Sequence, residues 1–261
     1  MSLSKTVKIT SFILFEIIIY ISFLYIDIFN SEYYKISSII KFVGIVGCFC
    51  YALFFVEKQE GQLLINLVRV ALFFTVISDV FLLLTGESEK GVFTFCIVQA
   101  IYRYYLWSIN KQELEQDDQL KQNSQLRYMY LPNVIVWLVI LVTMYFLSMP
   151  ISMLLVITVF YFVSIVINVI VAVRMAVWLK KRFIKIYAIG MVLFLLCDIN
   201  VGIFNMGDFV AINSHVFAKI YEFSTIGMWL FYLPAQVLLA ISLSFKQNER
   251  NVVLKKQRIV K

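Results

Sequence analysis

Residues 70–84, VALFFTVISDVFLLL, decide how this chain folds. The stretch is apolar over most of the thickness of a bilayer and carries a single carboxylate, Asp79. A charge at the membrane centre costs about 2.5–3.5 kcal/mol on insertion scales, so such residues usually face a bundle interior or a wet cavity. Residues 187–204, YAIGMVLFLLCDINVGIF, repeat the arrangement around Asp198. One such aspartate is equally compatible with a structural hydrogen-bond acceptor, but two similarly placed ones favour a shared site.

The composition excludes an ordinary soluble domain. Of 261 residues, 62% are hydrophobic and 15% charged, against roughly half and a quarter in soluble proteins. Few breakers (Pro 3, Gly 9) favour long helices over a β-barrel. The net charge of +7 is compatible with nucleic-acid binding, but the basic residues lie mainly beside apolar runs, where they set topology and contact anionic lipid. We therefore predict an all-α, multi-pass protein of the cell membrane with no nucleic-acid partner.

Eight apolar runs predict eight transmembrane helices in one domain, residues 1–245. Their predicted bounds are Ile9–Phe29, Ile36–Val56, Leu63–Leu84, Gly91–Ile109, Tyr128–Leu147, Ile151–Leu179, Phe183–Phe204 and Tyr221–Phe245. A polar segment, residues 110–127, predicts a central cytoplasmic loop or surface helix, and Ser148–Pro150 predicts a tight turn. Residues 246–261 predict a basic cytoplasmic tail that contacts anionic lipid. Glu16, inside the first run, is interpreted as the partner of a polar group on another helix.

The positive charges indicate the topology. If the chain crosses the membrane eight times, only four of the 23 basic residues lie on one side of it: Lys35, Lys41, Lys90 and Lys219. All others fall on the opposite side, which the positive-inside rule makes cytoplasmic. Both termini are therefore predicted to be cytoplasmic.

The two aspartates occupy matching positions. Each lies about 23 Å from the cytoplasmic end of the third helix in its half of the chain. The next helix in each half carries a glutamine within its apolar run, Gln99 and Gln236. This pattern predicts a possible 4+4 parallel repeat; chance similarity between apolar helices is the alternative.

If the halves pack in this way, both carboxylates line one pocket. The other candidate residues of this pocket are Lys41, Gln99, Tyr232 and Gln236. Two carboxylates in a low-dielectric site favour one protonated and one ionised group. This arrangement suits acid–base catalysis, and it equally suits a proton-coupled transporter.

Other chemistries lack their residues. The only histidine, His215, lies near a predicted membrane boundary, and the cysteines form no CxxC pair. A G-x-S-x-G elbow and a P-loop are absent from the sequence. We therefore predict no metal site and no cofactor.

Several short motifs, in order along the chain, resemble the YhhN-like family, the lysoplasmalogenases. That family carries an S-D or G-D pair, then G-x-x-x-F-x-x-x-H-x-x-Y, later G-x-x-x-F-x-x-S-D, and finally Y-x-x-A-Q. The matching residues here are Ser78, Asp79, Gly91, Phe95, Gln99, Tyr102, Gly190, Phe194, Cys197, Asp198, Tyr232, Ala235 and Gln236, with Lys41 matching a lysine near the start of helix 2. Cysteine replaces the family's serine and glutamine its histidine; glutamine cannot transfer a proton.

The resemblance implies hydrolysis of the vinyl ether bond of a lysoplasmalogen, a lysophospholipid, to a fatty aldehyde and a glycerophospho-base. Asp79 and Asp198 would be catalytic, one as general acid and the other stabilising the cation. The substrate-binding residues would be Lys41, Gln99, Tyr102, Tyr232 and Gln236, with Lys41 pairing with the phosphate. Two alternatives use the same aspartates: a proton-coupled transporter or lipid translocator, and a catalytically silent lipid sensor.

Overall fold

The computed structural model describes residues 3–56, 62–116, 130–146, 151–205 and 214–259, which are helical almost throughout and contain no β-strand. The helices are α1 (Leu3–Phe29), α2 (Tyr34–Cys50), α3 (Leu63–Asp79), α4 (Ser88–Gln116), α5 (Tyr130–Phe146), α6 (Met153–Leu179), α7 (Arg182–Phe204) and α8 (Ser214–Ile259). Two of them continue as π-helical turns, α2 over Tyr51–Phe55 and α3 over Val80–Thr85.

Six helical segments within this described part are long and apolar enough to cross a membrane, as expected of a helical membrane protein. They are Lys5–Phe29, Tyr34–Phe55, Leu63–Thr85, Met153–Leu179, Arg182–Phe204 and Ile220–Lys246. The apolar part of α5 is shorter, Asn133–Phe146, and α4 mixes apolar residues with Gln99 and Arg103. The eight-span count, the 4+4 repeat and the cytoplasmic termini therefore stay predictions.

Several helices extend beyond their apolar runs. The α4 helix continues from the predicted end at Ile109 to Gln116, and α8 reaches Ile259, well into the predicted tail. Helix formation needs only internal backbone hydrogen bonds, and Lys, Gln, Glu and Arg are good helix formers in water. Hydrophobicity thus marks where a membrane span ends, not where a helix ends. Most of the predicted central loop, and the turn Ser148–Pro150, lie outside the described residues.

Ring contacts establish how three helices run past one another. Phe95 of α4 meets Tyr232 of α8 at 6.3 Å, and further along both helices Tyr105 meets the Lys246 ammonium at 5.2 Å. Helices α4 and α8 are therefore parallel. On α7 the order is reversed, because Phe194 contacts Phe95 and the earlier Tyr187 contacts Tyr105.

A glycine brings α7 close to α8. A Cβ at Gly190 would lie 3.2 Å from the backbone oxygen of Ala235 and equally close to Leu238 and Leu239. Small residues at helix interfaces allow this approach in membrane proteins. The close packing places Tyr232 and Gln236 of α8 in the bundle interior.

Candidate active site

Asp79 lies where α3 changes from α-helical to π-helical geometry. It is the last α-helical residue, and Val80 begins the π turn; such insertions often occur at functional sites. The Ser78 hydroxyl donates to the Gly91 carbonyl at 2.6 Å and so fixes α3 against α4. Asp79 is 2% exposed, and its Oδ2 accepts a hydrogen bond from the Tyr232 hydroxyl at 2.8 Å.

Asp198 of α7 is held in the same manner. Its Oδ2 accepts a hydrogen bond from the Tyr161 hydroxyl of α6 at 2.7 Å. Tyr161 is buried, and sequence reasoning missed it because a tyrosine in an apolar helix gives no signal of its own. Each predicted aspartate therefore accepts a hydrogen bond from a buried tyrosine of another helix.

The two tyrosine–aspartate pairs meet at one aromatic cluster. The Phe95 ring lies 5.7 Å from the Tyr161 ring and 6.3 Å from the Tyr232 ring. Phe194 packs against both Phe95 and Tyr232. These four rings form what we call the aromatic cluster. The carboxylates thus flank aromatic rings and are not directly bonded to each other.

Cys197 is a shared neighbour of the two carboxylates. It directly precedes Asp198 on α7, and it lies within electrostatic range of Asp79. Cys197 is buried, and it occupies the position of the family's serine. The two tyrosine–aspartate pairs thus contact one aromatic cluster, and a pocket lined by both carboxylates stays a prediction.

Gln99 and Gln236 lie one turn beyond this cluster. They follow Phe95 and Tyr232 by four residues on parallel helices, so they lie on the same faces as those rings. The Gln99 Oε1 accepts a hydrogen bond from Asn168 Nδ2 at 2.9 Å, whereas its Nε2 has no partner. Both amide atoms of Gln236 are also without a partner, although the residue is fully buried. Both predicted glutamines thus have polar atoms available near the carboxylates.

Tyr102 lies further from the aspartates than its place in the predicted set suggests. It follows Phe95 by seven residues, about 10 Å along α4. Its ring packs edge-on against Tyr187 at 5.9 Å, and its buried hydroxyl has no hydrogen-bond partner among the described residues. It belongs to a separate group of buried tyrosines.

Lys41 connects to the site through an aromatic ring. Its ammonium lies 2.7 Å from Asp27 Oδ2 of α1 and 5.0 Å from the centre of the Trp229 ring. Trp229 in turn packs edge-on against Tyr232 at 5.2 Å. Asp27 was missed in the sequence because it lies at the end of an apolar run, where a charge usually faces water. The cation predicted to bind phosphate is therefore paired with a carboxylate of the protein.

Glu16 of α1 is, like Asp79, a buried carboxylate, with 3% of the residue exposed. Its Oε1 lies 3.9 Å from the Cys48 thiol of α2, and its Oε2 has no partner. The predicted interhelical partner of Glu16 is thus Cys48.

A groove between α6 and α7 lies apart from this site. The described residues contain no group of three or more His, Cys, Asp or Glu side chains that could hold a metal ion. The groove between α6 and α7 is apolar apart from Lys180 and Lys185, and none of the predicted site residues lines it.

Comparison with known proteins identifies the family. No curated protein and no solved structure matches the chain significantly. The YhhN family profile matches residues 36–243, which include both aspartates and both of their tyrosine partners. Helix α1, with Glu16 and Asp27, precedes the matched region. This chain belongs to the YhhN family.

Proposed function

We propose that this protein hydrolyses the vinyl ether bond of a lysoplasmalogen. Family membership supports a lysoplasmalogenase-like activity. The observation that carries the proposal is the pair of tyrosine-bonded aspartates around one aromatic cluster. Vinyl ether hydrolysis requires an acid that protonates carbon and a group that stabilises the resulting cation, and two carboxylates in different environments supply these roles.

The reaction begins when the protonated aspartate transfers its proton to the double-bond carbon remote from the ether oxygen. The ionised aspartate and the faces of the aromatic cluster stabilise the oxocarbenium ion. Water adds to the cationic carbon, and its proton passes to a carboxylate. The hemiacetal then breaks its bond to the glycerol oxygen, which leaves as a hydroxyl, and a fatty aldehyde remains. One water is consumed, and the acid is regenerated.

The neighbouring polar residues would bind the rest of the substrate. The free amide atoms of Gln99 and Gln236 suit the reacting water or the glycerol hydroxyl. Lys41, beside Trp229, suits the phosphate through a charge-assisted hydrogen bond. Because Lys41 is paired with Asp27, the phosphate must share or displace that contact. Tyr102, which follows Gln99 on α4 and packs against Tyr187, would hold the end of this binding site that lies furthest from the aspartates.

The deciding experiment is aldehyde release by the purified protein in lipid nanodiscs. A lysoplasmalogen should yield one aldehyde per glycerophospho-base. The matched control is the lysophospholipid with an ester in place of the vinyl ether, which should not be cleaved because an ester has no enol ether carbon to protonate. A parent protein that releases no aldehyde from the lysoplasmalogen contradicts the proposal.

A proton-coupled transporter or a silent lipid sensor is the second candidate. Gln99 favours it, since glutamine cannot transfer a proton and stands where the family has histidine. Lipid or proton flux in sealed vesicles, in the absence of aldehyde release, would indicate the transporter. We also propose a cell-membrane location, eight spans with both termini cytoplasmic, and contact of the basic tail with anionic lipid.

A further inference from the structure

Five side chains form a buried polar column, and the proposed reaction does not require all of them. They are Gln99, Tyr102, Tyr105, Tyr187 and Gln236, each at most 1% exposed. All five carry polar atoms with no protein partner among the described residues: Gln99 Nε2, both amide atoms of Gln236, and the hydroxyls of Tyr102, Tyr105 and Tyr187. We call this set the polar column.

The members of the column are contiguous. The Tyr187 ring lies 5.9 Å from the Tyr102 ring and 5.0 Å from the Tyr105 ring. On α4, Gln99, Tyr102 and Tyr105 follow one another at three-residue intervals, which places them on neighbouring parts of one helix face. Gln236 reaches the same level from α8, because it follows Tyr232 by one turn on a helix parallel to α4.

The two ends of the column differ in character. At one end Tyr232, one turn before Gln236, donates to Asp79. At the other end the Lys246 ammonium lies over the rings of Tyr105 and Phe183, at 5.2 and 4.9 Å. That end also holds Arg182, where α7 begins, and we call it the basic end. The column thus joins the candidate active site to the basic end of the bundle.

Packing does not account for these polar atoms. A buried hydroxyl or amide without a hydrogen bond costs free energy, whereas Phe or Met would fill nearly the same space at no such cost. Buried polar groups without protein partners usually bind ordered water, which makes about three hydrogen bonds in such sites. Several such atoms on neighbouring side chains, three of them tyrosines whose rings pack against one another, therefore indicate a chain of water sites.

We propose that the polar column binds a chain of water molecules and supplies water from the basic end to the Asp79–Tyr232 pair. Its role in supply rests on the proposed hydrolysis, which consumes one water per turnover inside an aromatic cluster. Hydration of the column does not rest on it. Only neutral water has to travel, because the proton released on addition returns to a carboxylate. In this proposal the substrate chain enters, and the aldehyde leaves, from the lipid side of the bundle.

X-ray hydroxyl-radical footprinting of the intact protein in nanodiscs tests hydration directly. Radicals form from water in place, so buried side chains beside ordered water are oxidised. Tyr105 and Tyr187 should be oxidised several-fold faster than Tyr51, an equally buried tyrosine whose hydroxyl is 2.7 Å from the Ser244 hydroxyl. Labelling of Tyr105 and Tyr187 no faster than Tyr51 would overturn the proposal, whether or not the protein is a hydrolase.

Removal of the column hydroxyls tests the supply of water. The double variant Tyr105→Phe/Tyr187→Phe should lower kcat on the order of tenfold and leave KM unchanged, because water sites are lost while the substrate contacts remain. Tyr51→Phe is the matched control and should leave kcat unchanged. An unchanged kcat in the double variant would overturn the supply role. A parent without turnover but with an oxidised column would refute the hydrolysis and the supply role, and leave the hydration intact.

Discussion

At the scale of single residues, the two aspartates depend on their tyrosine partners. Tyr232 holds Oδ2 of Asp79 and Tyr161 holds Oδ2 of Asp198, so Oδ1 of each carboxylate is the oxygen we assign to proton transfer. Hydrogen bonds to charged groups contribute about 1.5–3 kcal/mol, more than bonds between neutral groups. The tyrosines therefore orient the carboxylates as well as packing beside them.

Asp79→Asn and Asp198→Asn should each lower aldehyde release on the order of 10²–10⁴-fold, the usual contribution of general acid–base catalysis. Asparagine keeps the size and accepts the tyrosine hydrogen bond, but it supplies neither a proton nor a negative charge. Turnover in nanodiscs measures the effect, and elution as a single peak in size-exclusion chromatography checks folding. Glu89→Gln, at an exposed position of α4, is the control and should match the parent. Full activity in both asparagine variants would refute the two-carboxylate mechanism.

Gln99→His introduces the histidine that the motif resemblance implies at this position, and it should keep or raise turnover. Histidine can accept the Asn168 amide hydrogen bond that Gln99 Oε1 accepts now, and it can also transfer a proton. Gln99→Met, which fills similar space without polar atoms, should lower turnover. The ratio of kcat values for the two variants is the measurement. A histidine variant no more active than the methionine variant would show that position 99 takes no part in the reaction.

At the scale of helices, α1 and α2 are joined by a buried ion pair. Lys41 and Asp27 have side chains only 11% and 14% exposed, and the Ser37 hydroxyl donates to the second oxygen of Asp27 at 2.5 Å. Removing one member of a buried ion pair leaves the other charge uncompensated, which costs more than removing both. The pair is therefore one of the contacts that hold α1, which lies outside the family match, against the site, beside the Tyr20 hydrogen bond to Leu230 and the Phe23–Trp229 ring contact.

Asp27→Asn should destabilise the protein by about 3 kcal/mol, because the Lys41 charge would then be buried without its partner. The double variant Asp27→Leu/Lys41→Met should recover most of this loss, since it leaves no buried charge. Thermal unfolding in one detergent, compared across parent, single and double variants, gives the ranking. A double variant as unstable as the single one would mean that packing, not charge, joins α1 to α2.

At the scale of the whole molecule, the packing of helices bears on the predicted repeat. A 4+4 repeat makes the contact of α2 with α8 equivalent to that of α6 with α4, and both contacts occur. The tyrosine partners do not follow the repeat. Asp79 accepts a hydrogen bond from a tyrosine of α8 and Asp198 from a tyrosine of α6, whereas the repeat makes α8 equivalent to α4. The two aspartates are therefore surrounded differently, and the 4+4 repeat stays a prediction.

The charge distribution predicts which side of the membrane each helix end faces. In a background without the native cysteines, Glu89→Cys, in the first turn of α4, should react with an impermeant maleimide on intact cells, because this end of α4 is predicted to face outward. Lys185→Cys, exposed at the start of α7, should react only after permeabilisation. Labelling of the second position on intact cells would reverse the topology, and the basic end of the bundle would then face outward.

The sequence by itself determined the class of fold and the two aspartates. Helix formation and the cost of a charge in hydrocarbon act locally, so apolar runs and the carboxylates inside them can be read residue by residue. Tertiary structure alone decided the partners of these residues. Tyr232 and Asp79 are 153 positions apart, and their hydrogen bond depends on the rotation of each helix about its axis. That rotation results from packing, such as the close approach at Gly190. A helix that is apolar on all sides gives no sequence signal for which side faces its neighbours.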